Sequence, residues 1–457
     1  MKRWLPWFIG ALTLAVAVLA THARGDGMLQ DSDTVILITG IRETQNPWTW
    51  FIGDWPLENH FYRPISTLTL EFDHAVYGNW DPGYGRTNAI LAALSILGLF
   101  WFLREATDRP WIAGLGTVLF ALWHRQQELA AWVSGPLLWL ALLVWLVLLR
   151  DGRQKLITVF LASGALLFAS HLVLPFYSLE YRMLDWIPGR TASTMTVFCL
   201  LSLAGYARFE RLRGTRLPRP TLAPTEPPPT KGTPPRPSTS PWDYGWLAIS
   251  ALAAALALGS YEQAVMLPAL LLGVAFLFHL RGVRPHYWIH IGFWALLGGY
   301  LALRYQLVPS EVSTYQDQQF RSGPGLYQSL VEYLFPGWFG LREAYFQLTT
   351  SALVLLTMGF WTSVALFLSN ILAYVVLWKS RLRWYAFGFL GLAFFAFLPM
   401  AWLKHFAHYH YWSLAFYAVF TVLLIAEALR CLANAIGRPA LQAPARPRPA
   451  PGSLPHP

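Results

Sequence analysis

Apolar runs close to the thickness of a lipid bilayer recur along the whole of this 457-residue chain, and they constrain its fold more than any motif does. A helix needs roughly 17 to 25 apolar residues to cross a bilayer core, where backbone polar groups have no water to pair with. Runs of that kind stand at about 4–22, 87–104, 110–123, 133–149, 156–175, 191–207, 244–260, 264–280, 286–303, 351–378, 384–403 and 411–430. The expected fold is all-α, a polytopic transmembrane helical bundle of about twelve spans. The composition agrees, with 55% hydrophobic and 13% charged residues.

Charge orients the bundle. With the N-terminus inside, the cytoplasmic segments hold Lys2, Arg3, Arg104, Arg109, Arg150, Arg153, Lys155, the basic cluster Arg208 to Arg236, Arg281, Arg284, Lys379, Arg381, Arg383, Arg430, Arg438, Arg446 and Arg448, which are 23 of the 34 Lys and Arg. The positive-inside rule then gives an N-in, C-in topology. The net charge of +10 is accounted for by anionic lipid headgroups, so membrane lipids and not nucleic acid are the expected partner. The first run, flanked by Lys2-Arg3 and Thr21-His22-Ala23, also reads as a cleaved signal peptide; both readings put residues 24–86 outside. Cys199 and Cys431 fall in or at the end of apolar runs and read as packing residues.

Ten prolines between Pro218 and Pro241 mark 208–243 as a Pro-rich cytoplasmic linker. It separates an N-terminal membrane half, 1–207, from a C-terminal one, 244–434. The tail 435–457, rich in Pro, Ala and Arg, has no helical or strand period and reads as disordered.

The outer segment 24–86 concentrates polar chemistry. Asp31 and Asp33, two apart, share a side only in an extended chain; in a helix they point about 200° apart. Paired carboxylates can split their pKa values and leave one ionised as a general base, while the bland reading is a helix cap or a solvated loop. The run Glu58-Asn59-His60-Phe61-Tyr62-Arg63-Pro64 offers a guanidinium suited to phosphate, with Glu58 and His60 beside it, or simply a loop ion pair. Trp48, Trp50, Phe51, Trp55, Phe61, Tyr62, Tyr77 and Trp80 either stack on sugars or anchor the loop at the lipid interface, anchoring being the commoner use. A second outer segment, about 304–350, mixes Arg304, Arg321 and Arg342 with aromatics and reads as lying partly flat on the membrane.

Three further groups of residues qualify. His124 and Glu128 share a helix face and supply two metal ligands at most, so no metal is assigned. Lys404, His405, His408 and His410 cluster in the last outer loop. Glu262 stands where two apolar runs meet, a costly depth for an acid unless it is paired or faces water.

Taken together these segments resemble the integral-membrane glycosyltransferases of the GT-C type, in particular the protein O-mannosyltransferase and transmembrane O-mannosyltransferase group and its bacterial relatives. The likeness rests on Asp31-x-Asp33 opening the first outer loop, on His60-Phe61-Tyr62-Arg63-Pro64, on His124-Arg125-x-x-Glu128-x-x-x-Trp132, and on Tyr261-Glu262-x-x-x-x-x-Pro268. It runs from about residue 31 to residue 280. The sequence departs from the group's pattern where Ser32 splits the acidic pair, where Arg125 stands for Pro, where Gly135-Pro136 stands for a Gly-Arg step and where Tyr261 stands for Lys.

The resemblance implies transfer of a sugar from a polyprenyl-phosphate donor to an extracytoplasmic protein, lipid or glycan acceptor, by an inverting displacement, in a bacterial inner membrane. It implies that Asp31 or Asp33 is the base, that Arg63 meets the donor phosphate, and that Glu58, His60, Tyr62, His124, Glu128 and Glu262 contribute to substrate binding; Lys404 and His408 join them on charge alone. No cofactor is expected; a divalent cation is compatible but not indicated. Two other classes fit the same spans: a catalytically silent membrane scaffold of the same fold, and a transporter or flippase, against which stands the placement of most charges at span ends.

Overall fold

The computed structural model describes residues 3–22, 27–44, 46–124, 136, 139–141, 143, 153–173, 181–213, 215–216, 241–321, 323–335, 358–404 and 406–435. Apart from 133–149, which lies largely outside these residues, every interval expected to span coincides with a helix. In chain order these are α1 (Leu5–His22), α4 (Asp81–Ala106), α5 (Pro110–Leu122), α6 (Arg153–Val173), α7 (Arg190–Arg213), α8 (Asp243–Leu258), α9 (Leu267–Leu280), α10 (Ile289–Leu307), α13 (Met358–Trp378), α14 (Arg383–Phe397) and α15 (Tyr411–Ala435). Among the described residues five stretches are long and apolar enough to cross a membrane: Asp81–Ala106, Ile187–Arg213, Glu262–Leu280, Arg383–Trp402 and Ala407–Ala435. The chain is thus a helical membrane protein. Prolines begin several helices, Pro64 and Pro110 among them, where the missing N–H costs nothing.

α15 lies at the centre, packed against α5, α6, α7, α13 and α14, and every residue from Tyr411 to Leu424 is buried, while its last turns carry an ion pair of buried Glu427 with exposed Arg430. α7 and α8 approach closely through small residues. A Cβ on Gly205 would sit 2.9 Å from the Trp246 carbonyl oxygen, and one turn away Ser250 Oγ donates to the Ser202 carbonyl at 2.7 Å.

The segment 24–86, expected as a loop, instead carries two helices, α2 (Ser32–Glu43) and α3 (Pro64–Tyr77), over a small core of their own. Thr34, Leu37, Ile38 and Ile41 recur at helical spacing on the buried face of α2. Leu37, Ile38 and Ile41 pack with Trp50, Trp55, Leu70, Tyr84 and Ile187. That stripe is too short to register as a span. Farther along, α11 (Thr314–Gln319) and α12 (Pro324–Leu334) interrupt the second outer segment.

The linker starts later than its composition suggests. α7 continues to Arg213 because buried Glu105 accepts from Arg208 and Arg211, each at 3.3 Å, which neutralises the charges that end the apolar run. Two-residue strands follow: β1 (Thr215–Arg216) pairs antiparallel with β2 (Val283–Arg284), Thr215 opposite Arg284. Residues 217–240 and 436–457 lie outside the described residues. The last turns of α7 and α9 therefore meet at this ladder, while the first turn of α7 and the turn that leads into α9 lie together at the other end of the bundle, beside α2 and the start of α3.

Candidate active site

That other end holds a cleft of about 270 Å3, lined by Asp33, Trp55, Asn59, Phe61, Arg63, Trp186, Tyr261, Glu262, Tyr315, His408 and Tyr409 among others. Its floor is an ion pair between two segments that the sequence singled out separately. Arg63 donates from Nε at 2.9 Å and lies with Nη2 at 2.8 Å, both to the same oxygen, Glu262 Oε2. The Arg63 guanidinium carbon sits 4.7, 4.1 and 4.6 Å from the ring centres of Trp55, Phe61 and Tyr261, a cation–π box.

Local chain geometry delivers Arg63 to that place. Asp54 gathers the loop, its Oδ1 accepting from the backbone N–H of Trp55 and Phe61 and its Oδ2 from that of His60, at 2.8–2.9 Å. The tight path puts Glu58 (φ 50°) and His60 (φ 63°) in the left-handed region, a conformation of order 1 kcal/mol or more above the alternatives for residues with a Cβ. The first turn of α3 is then tied to the end of α8: Ile65 N–H donates to Gly259 O at 2.9 Å and Ser66 Oγ to Ser260 O at 2.8 Å.

The two aspartates play different parts. Asp31 caps α2, its Oδ1 accepting from the N–H groups of Asp33 and Thr34 at 3.1 and 3.3 Å, and accepting a third bond from Trp186 Nε1 at 3.1 Å. Oδ1 of Asp31 is thus taken up in holding structure. Asp33 follows in the first turn, exposed at the rim of the cleft. Partial burial pushes its carboxyl above the ordinary range, the neighbouring Asp31 charge adds to that, and Arg182 opposes it.

Trp186 and Arg182 had no signal in the sequence. The Trp186 ring lies 5.3 Å from the His408 ring, and the Arg182 guanidinium stacks 4.4 Å above it. Buried His408 completes that wall, 4.4 Å from the Tyr409 ring.

Of the residues expected at a site, Asp33, Arg63, Glu262 and His408 converge on the cleft and Asp31 stands behind it. Tyr62 faces the other way. Its hydroxyl donates to Phe51 O at 3.1 Å, and its ring lines a separate apolar groove of about 450 Å3 between α3, α8 and α10, with Ile65, Leu258, Leu296, Gly299 and Leu303. His60 contacts Glu311 O through Nδ1 at 2.8 Å, outside the cleft. Glu58 and Lys404 are exposed and do not line it. His124 is a core residue, its Nδ1 3.0 Å from Phe120 O and its Nε2 2.6 Å from Tyr411 Oη, and it does not line the cleft. Glu128 and His405 lie outside the described residues.

The outer aromatics divide. Trp55 and Phe61 are in the cleft, while Trp48 and Trp80, 69% and 44% exposed, suit the interface. Among the described residues no three His, Cys, Asp or Glu side chains are grouped to hold a metal ion. No protein-family model matches the chain, and no curated protein or solved structure matches it.

Proposed function

We propose that this protein is a GT-C-type glycosyltransferase that moves a sugar from a polyprenyl-phosphate donor to an acceptor outside a bacterial plasma membrane. The observation that carries the reading is the meeting of Asp33, Arg63, Glu262 and His408 on one aromatic-walled cleft. The cleft lies across the Phe61–Pro64 segment from an apolar groove. Because side chains alternate along an extended stretch, Phe61 and Arg63 face the polar cleft while Tyr62 lines the groove. A donor with a hydrocarbon chain and a polar head needs such a divided site.

In this reading an acceptor hydroxyl attacks the anomeric carbon from the face opposite the phosphate. The new C–O bond forms as the bond to the phosphate oxygen breaks, inverting the anomeric centre and releasing polyprenyl phosphate. Asp33 takes the hydroxyl proton. A raised pKa suits that role, since a base matched more closely to the operating pH transfers protons more effectively.

The reading carries a topology of about twelve spans, N-terminus and C-terminus inside. In its support, Arg208, Arg211, Arg213, Arg281 and Arg284 collect at the bundle end away from the cleft. The test is transfer of radiolabelled hexose from a panel of polyprenyl-phosphate donors by the purified protein in liposomes, with membrane extracts as acceptors. Acceptor-dependent transfer is expected; a complete lack of transfer or of donor turnover across the panel overturns the reading.

A further inference from the structure

Resting on the glycosyltransferase reading, we infer that the Arg63–Glu262 floor reads the hydroxyls of one uncharged sugar ring and is not the seat of the donor phosphate. The argument begins with charge. Both contacts from Arg63 fall on one oxygen of Glu262, the guanidinium is enclosed by three rings, and the pair is largely sequestered, with 10% and 19% side-chain exposure. A phosphate placed there would have to displace Glu262 or share the site with its carboxylate, at a large cost in so dry a place.

Hydrogen-bonding capacity gives the second step. Four buried side-chain atoms of cleft-lining residues have no partner within the protein: Trp55 Nε1, Asn59 Oδ1, Glu262 Oε1 and His408 Nδ1. A larger number of other buried atoms of the described residues share that state at scattered places, and the four that belong to residues lining one cavity mark a place for a ligand. The set is mixed. Trp55 Nε1 can only donate, Glu262 Oε1 only accepts, and Asn59 Oδ1 accepts. Phosphate oxygens satisfy donors and leave acceptors stranded, whereas a hydroxyl both donates and accepts. A polyhydroxylated ring therefore fits where an anion does not.

The cleft has room for a single sugar ring. At about 270 Å3 the cleft falls below the roughly 300–1,000 Å3 usual for drug-sized ligands. Trp55, Phe61 and Trp186 line the cleft with aromatic surface around the guanidinium groups stacked on them, the kind of wall against which the apolar side of a sugar packs. Trp55, Asn59, Glu262 and His408 are thus the residues that set sugar specificity.

Binding separates this inference from the reading it rests on. The ligands are polyprenyl phosphate itself, polyprenyl-phosphate hexose and polyprenyl-phosphate uronic acid, titrated into the wild type, Trp55→Phe and Glu262→Gln in detergent, each variant first checked for normal size-exclusion behaviour. Trp55→Phe keeps an aromatic ring while losing the indole N–H with its five-membered ring, and should weaken the hexose donor by about tenfold, the equivalent of one hydrogen bond, while leaving sugar-free polyprenyl phosphate unchanged. Glu262→Gln should improve binding of the uronic acid donor alone, because only that ligand brings a negative charge to the floor.

Equal loss of hexose donor and sugar-free carrier in Trp55→Phe overturns the inference. So does equal gain of all three ligands in Glu262→Gln, the result expected if Arg63 holds the phosphate. Failure of the wild type to bind any of the three overturns the glycosyltransferase reading and this inference with it.

Discussion

Arg63 and Glu262, 199 positions apart in the chain, meet on a single carboxylate oxygen at 2.9 and 2.8 Å and so close the floor of the cleft. The contact joins the start of α3 to the turn between α8 and α9 and fixes the outer domain on the bundle.

Breaking that pair from one side should be costlier than removing it. Glu262→Ala strands a buried guanidinium and should lower stability by about 3 kcal/mol, the lower end of what is usual for buried pairs, because Glu262 keeps some solvent contact. Arg63→Met combined with Glu262→Ala should recover part of that loss. Thermal unfolding in detergent reads both; additive losses would contradict the pairing.

A second buried pair should be more sensitive still. Arg190 lies 2.6 Å from Asp73 with exposures of 1% and 0%, and its Nε donates to Asn88 Oδ1 at 2.7 Å. Asp73→Ala should cost about 4 kcal/mol and reduce the yield of folded protein. A stability change under 1 kcal/mol in the same unfolding assay would contradict this account.

The pH dependence of transfer should follow Asp33. A base works ionised, so the rising limb of kcat/KM should lie above the range of an ordinary aspartate, as the burial-driven rise of its pKa requires. Arg182 favours the ionised form, so Arg182→Gln should move that limb to higher pH. Asp31 opposes it, so Asp31→Asn should move the limb lower. Shifts in one common direction for the two variants would contradict the assignment of the limb to Asp33.

His124 should behave as a packing residue. Its Nε2 meets Tyr411 Oη at 2.6 Å inside the bundle. His124→Phe should therefore cost roughly 1–2 kcal/mol in thermal unfolding, with the KM for donor unchanged. A rise in KM at unchanged stability would put His124 in the pocket after all.

The helices were legible because a bilayer-length apolar run has few other uses, Glu262 because an acid between spans is costly unless paired or facing water, and Arg63 because a guanidinium in the polar run Glu58 to Pro64 suits an anion or an ion pair. Asp31 and Asp33 were legible as residues, but their roles were not. A two-residue spacing does not reveal that the chain turns helical at Ser32, which makes Asp31 the cap and sends Asp33 to the rim. Trp55 could not be told from Trp48 by type, since interfacial anchors and sugar platforms use the same ring; burial separates them. Trp186, Tyr315 and Tyr409 come from three further segments, and only the packed bundle brings them to one cavity. His124 misled because helical spacing to Glu128 says which face the two share and nothing of what that face meets.

The most direct measurement is single-turnover transfer from a polyprenyl-phosphate hexose donor by the wild type, Asp33→Asn and Asp31→Asn in liposomes, at matched amounts of folded protein. Asp33→Asn should lose at least about a hundredfold in rate, the usual range for removing a general base, and Asp31→Asn should keep most of it. Wild-type transfer with an undiminished rate in Asp33→Asn would contradict the account, as would a wild type that transfers nothing.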